Sequence, residues 1–184
     1  MLTITRPAST LARLAGPAML VSAVTGAVAV GLLAAMYAAF AAGSQAAGLR
    51  FGYANDVLGI VTPALAAPAV LIVSRLVAGP RSGLAAALVI VGLGSVAAVI
   101  VLQSLLVAKL VAFQQQVLPV VVAMLVWGGW FVAVGFLGSR SGSLPVGPGL
   151  GVSAMFYVGY PVWAWRVGRF LLVATRTSPA TGSA

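Results

Sequence analysis

Acidic side chains are almost missing from this sequence: Asp56 is its single carboxylate, no glutamate occurs, and histidine and cysteine are absent. Each absence removes a class of chemistry. Without cysteine there is no disulfide, no thiolate catalysis and no palmitoylation, and the redox compartment stays open. Without histidine, and with one carboxylate, neither a Ser-His-Asp triad nor a paired-carboxylate acid/base site nor a transition-metal site can be assembled. The chain therefore reads as non-enzymatic and no cofactor is expected. An apolar ligand such as a lipid, pigment or quinone would leave no mark in such a sequence.

Charge of any sign is scarce. Only 6% of the 184 residues are charged and 62% are hydrophobic, with a mean hydropathy of +1.16, whereas about a quarter of a soluble domain is charged. This composition describes an integral membrane protein. The net charge of +9 does not point to nucleic acid, because the basic residues stand singly between apolar runs and form no stripe. They read as interfacial anchors and orientation signals. The one lysine, Lys109, lies at a run boundary, which sets aside a retinal-type Schiff base in mid-bilayer.

What is present is long apolar sequence. A spanning helix needs about 20 apolar residues, and five stretches reach that length: Pro17 to Ala42, Val57 to Val77, Gly83 to Ala108, Val117 to Gly138, and Gly149 to Val173. The expected fold is an all-α bundle of five transmembrane helices, residues 17–174, preceded by a segment 1–16 that is interfacial or frayed and followed by a disordered tail, 175–184. The first run exceeds the 7 to 15 residues of a signal-peptide core and reads as an uncleaved anchor. Pro63, Pro68 and Pro161 should bend their helices. Tyr157, Tyr160, Trp163 and Trp165 suit an aromatic belt at the membrane surface.

Membrane helices gain nothing by hiding apolar surface from lipid, so close approach at small residues must hold them together. Ala23, Ala27, Gly31, Ala35, Ala39 and Gly43 recur every four residues along the first run, a candidate packing groove. Gly128 and Gly129, between Trp127 and Trp130, form a second candidate contact.

Asp56 admits three readings. Asn55 caps the second helix while Asp56 meets the positive end of its dipole; or Asp56 pairs with a cation; or it handles an ion or proton, since an ionisable group at membrane depth is a functional candidate by default. Five crossings place the first loop, the third loop and the C-terminal tail on one side. That would gather Asn55, Asp56, Gln103, Arg166 and Arg169 into one polar cluster, with Arg166 or Arg169 as the preferred partner of Asp56 and Arg50 as the local alternative. Basic residues divide five to five between the two sides. The two arginines before the first helix, Arg6 and Arg13, against one after it favour an N-terminus inside.

The stretches NDVLGIV, AFQQQV and YPVWAW are similar to those of a bacterial group of small polytopic integral membrane proteins of unknown function. The resemblance implies a folded membrane unit and carries over no catalytic or binding residue. With the Ala- and Gly-rich composition it suggests a bacterial inner membrane. The leading functional expectation is association, as a homo-oligomer or an accessory subunit of a membrane assembly. The alternative is a small transporter or channel with a polar vestibule around Asp56 and Gln103. An intramembrane enzyme stands third.

Overall fold

A backbone immersed in hydrocarbon has no water to bond, so each apolar run must satisfy its own N–H and C=O groups as a helix. In the computed structural model, which describes residues 10–155 and 158–176, 88% of the described residues are helical and none is in a strand. The elements are α1 (Thr10–Ala41), α2 (Gln45–Ala78), α3 (Gly83–Val107), α4 (Phe113–Ser141), α5 (Pro148–Met155) and α6 (Tyr160–Arg176). Among them four, α1 to α4, are long and apolar enough to cross a membrane.

Two expected boundaries move outward. The first helix starts at Thr10 and runs through Pro17, and the second starts at Gln45, twelve residues before the expected Val57. The stretch QAAGLRFGYAN looked like a loop because it mixes Gly with polar residues, yet it is helical because it packs on α1. Gly48 lies against Phe40, and Gly52 against the Met36 sulfur, which an added Cβ would approach to 3.0 Å. Gly43, at φ 76°, supplies the left-handed turn between the two helices.

The α1–α2 seam also decides which small residues meet. On α1 the positions that face inward are Ala15, Met19, Ser22, Gly26 and Ala29, continuing to Met36 and Phe40. They alternate steps of four and three, as does the α2 series from Gly48 and Gly52 through Gly59, Thr62, Ala66, Ala69 and Val73. A period of 3.5 keeps a seam on one line between two supercoiled helices. The expected groove, at a strict period of four, drifts by about 40° per step and leaves that line. Ala23 is buried, but Ala27 and Gly31 are exposed, with nothing near Gly31, and Ala35 and Ala39 are half-buried. Of the WGGW pair, Gly128 is buried and Gly129 faces open space.

The expected fifth span is not one helix. Gly142, at φ 65°, ends α4, and the chain turns inward over buried Leu144 and Val146 to form α5, eight residues long. At Gly151 a Cβ would come within 2.6 Å of the Phe131 carbonyl, so α5 lies directly on α4. The chain then turns at Val158 and Gly159, where Gly159 N–H donates to the Ser153 carbonyl (3.1 Å). Pro161 sits in the first turn of the new helix α6, where its missing N–H breaks no bond, so it starts a helix instead of bending one.

Helix α6, 17 residues long, closes the ring by lying on α1. Gly168 packs on Leu20, and Gly16 packs on Leu172, where a Cβ would meet the Leu172 backbone nitrogen at 2.8 Å. The two helices are therefore antiparallel. Thr10, where α1 begins, and Arg176, where α6 finishes, lie at the same end of the bundle. The expected interfacial segment at 1–16 lies within α1 from Thr10 onward; residues 1–9 and 177–184, with Tyr157, fall outside the described residues.

Candidate functional site

The hairpin of α5 and α6 carries its tip into the interior. Tyr160, the first residue of α6, is 3% exposed, and its ring packs against those of Trp127 (centroids 5.5 Å apart) and Phe131 (5.7 Å). Trp163, one turn later, meets Phe131 edge-on at 4.6 Å and Trp130 at 5.8 Å. Gly26 makes the approach possible, because a Cβ there would reach the Tyr160 ring at 2.9 Å. Of the expected aromatic belt, Tyr160 and Trp163 are thus core residues, and Trp165 is 47% exposed.

A buried hydroxyl network surrounds the tip. Ser22 Oγ donates to the Thr62 carbonyl (2.7 Å) and is hydrogen-bonded to Tyr160 Oη; its one proton being committed, Ser22 accepts from the phenol. Thr62 Oγ1 donates to Thr25 Oγ1 (2.9 Å), which donates to the Ser22 carbonyl (3.1 Å). Three helices, α1, α2 and α6, are tied together by these groups.

Beside this network lies a cavity of about 50 Å³ bordered by Gly59, Thr62, Pro63, Met124, Trp127 and Tyr160. Such a space holds water-sized molecules when polar groups line it. Pro63 has no N–H to offer the Gly59 carbonyl four residues earlier, so the helix ladder is open at the cavity wall. The Trp127 indole N–H is buried without an acceptor. A buried donor left unpaired costs about 1–3 kcal/mol.

A second polar group leads toward the cavity from the other end of the bundle. Gln116 Nε2 donates to Gln103 Oε1 (3.2 Å), both side chains being buried, and the Gln103 amide lies 3.3 Å from the place a Gly59 Cβ would take. Gly59 thus borders both the glutamine pair and the cavity. Asn55, one turn before Gly59, has its Oδ1 buried without a donor. Of the three consecutive glutamines only Gln116 is buried, while Gln115 closes the start of α4 through Ala112 N–H (3.0 Å).

The expected polar cluster is therefore half assembled. Asn55, Asp56 and Gln103 share one half of the bundle. Arg166 and Arg169 do not join them. Thr62 is bonded to Thr25 and Gly52 faces Met36, so Asp56 lies level with Gly31 and Leu32 on α1, whereas Gly168 lies level with Leu20. At 1.5 Å per residue the two arginines are about 15 Å or more from Asp56 along the bundle axis, because α6 returns toward the Thr10 end instead of crossing. The cap reading fails as well: α2 begins at Gln45, so Asn55 and Asp56 sit three turns inside it.

The residues that sequence reasoning passed over are Ser22, Thr25, Gly59 and Thr62, while Tyr160 was expected in an interfacial belt and Trp127 only as a flank of the glycine pair. The signal of the first four was faint: three single hydroxyls inside apolar runs, Thr62 standing next to Pro63, and one glycine. No family model, no curated protein and no solved structure matches the chain, so the site stands on its own residues.

Proposed function

We propose that the chain is a small membrane conduit for water-sized polar solutes, with α5 and α6 forming a hairpin that enters the bilayer from one side and returns. The observation that carries this reading is the placement of Tyr160, Ser22 and Thr62 beside the cavity. Thr62 lies thirteen residues from Arg75 and twelve from Arg50 along α2, midway between the basic ends of the helix. Those ends stand about 37 Å apart at 1.5 Å per residue, a span that accommodates a hydrocarbon core of about 30 Å. The network then belongs at the midplane. Broken helices whose ends meet polar groups there are a recurrent way to build a solute site in transporters.

In this reading Asn55, Gln103 and Gln116 form the vestibule from one face, and Gly59 is its threshold. Trp130, Phe131 and Trp163 close the path toward the other face. Asp56, six residues from Thr62 and thus about 9 Å from the midplane, lies inside the hydrocarbon and adds a carboxyl group to the vestibule.

Osmotic shrinkage of reconstituted vesicles, followed by light scattering with water, urea and glycerol as test solutes, examines the proposal. Wild-type protein should raise the permeability to at least one solute above that of protein-free vesicles, and Gly59→Leu, which fills the threshold, should return it to background while the helix content stays intact. Equal permeability with and without protein would defeat the reading.

A second reading, association with another copy or a membrane partner, is favoured by a separate observation. Ala27, Gly31, Ala34 and Ala38 are all exposed on one face of α1, a smooth strip suited to close helix contact. A discrete oligomer in mild detergent that dissociates in Gly31→Leu supports it; a monomer in both proteins removes it.

A further inference from the structure

Helix α6 turns a charged face outward at membrane depth. Val162, Arg166, Arg169 and Val173 follow one another at steps of four, three and four, and all are exposed, with Trp165 at their edge. The steps keep these residues on one stripe. Arg13 and Arg75, twelve and thirteen residues from the bonded pair Thr25 and Thr62, mark a common basic level at the Thr10 end. Arg169 beside Leu20 lies about 10 Å below that level, and Arg166 about 14 Å below it. Two guanidiniums at such depth need counter-charge. The side chains do not supply it: the single side-chain carboxylate, Asp56, stands in the opposite half of the bundle. A second copy inserted in the same direction brings the same single acid at the same distant level.

We propose that the exposed face of α6 binds the headgroup of an anionic phospholipid. The phosphate accepts hydrogen bonds from Arg166 and Arg169, the geometry in which guanidinium recognises phosphate most strongly. Trp165 and Val162, deeper in the membrane than the two arginines, lie along the acyl chains, and Val173 lies on the surface side of the phosphate. The lipid seals the outer side of a helix that is too short and too charged to face neutral lipid alone, and it holds α6 against α1. This inference is independent of the conduit reading, since neither arginine borders the cavity.

Native mass spectrometry of the detergent-solubilised protein, mixed with phosphatidylglycerol or phosphatidylcholine, tests it. Phosphatidylglycerol should remain bound in preference to phosphatidylcholine, and the preference should fall on the order of tenfold or more in Arg166→Gln/Arg169→Gln while Arg81→Gln, a change at an exposed turn, leaves it intact. Excess inorganic phosphate should fail to displace the lipid, because the acyl chains contribute to its binding. Should the double variant not fold, the wild-type protein still decides the matter: its preference must weaken as ionic strength rises. A preference unchanged by the double substitution, or by salt in the wild type, overturns the proposal, as does displacement by phosphate alone.

Discussion

The two halves of the bundle on either side of Thr62 are built differently. Toward the Thr10 end the interior is an aromatic block, in which Trp130, Phe131 and Trp163 pack edge-on and Trp130 Nε1 finds Ser74 Oγ at 3.1 Å. There the Trp163 indole N–H is buried without an acceptor. Toward the other end the interior is polar, with the glutamine pair, the unpaired Asn55 carbonyl and the half-buried Asp56. The difference teaches that stability and access are separated along the bundle axis. Dispersion between interlocked rings holds one half. The other half keeps polar groups whose bonds are incomplete, a costly arrangement that a core made only for stability would replace by apolar contact.

The sharpest way to break the contrast is on the aromatic side. Trp163→Ala opens a hole under Phe131 and Trp130 and should lower unfolding stability by about 3–5 kcal/mol, read as a large drop in the thermal midpoint in detergent. Tyr160→Phe keeps the ring and removes only the hydroxyl, so its loss should be about 1 kcal/mol; a Tyr160→Phe loss as large as that of Trp163→Ala would show that the hydroxyl network, and not ring packing, holds the hairpin. At the small end, Asp56→Asn should leave stability within about 0.5 kcal/mol, since Asp56 forms no ion pair among the described residues. A fall of several kcal/mol would mean that Asp56 has a partner after all and would blur the distinction between a ring-packed half and a polar one.

Several features were legible without coordinates because they depend on composition alone. Apolar runs in a chain with one carboxylate must be helical, and the four long helices follow from that. Asn55, Asp56 and Gln103 drew notice because a polar group in an apolar run is conspicuous wherever it lies. The packing residues of α1 were harder. Alanine and glycine recur at periods of both 3.5 and 4 there, and only the partner helix selects between them, so Gly26 faces Tyr160 while Gly31 faces outward.

The last helix shows where local reading ends. Gly149 to Val173 has the length and apolarity of a span, and nothing within it states whether the chain goes through or turns back. The turn is settled by contacts with distant residues, Gly151 on Phe131 and Gly168 on Leu20, and that choice alone moves Arg166 and Arg169 from the side of Asp56 to the other. The amino-acid order by itself determined that the protein is helical and apolar, because solvation of the backbone and of charge acts on each segment separately. Only the tertiary structure decided which polar groups share a half, because that depends on the direction in which each helix runs, and direction is set by packing between residues far apart in the chain.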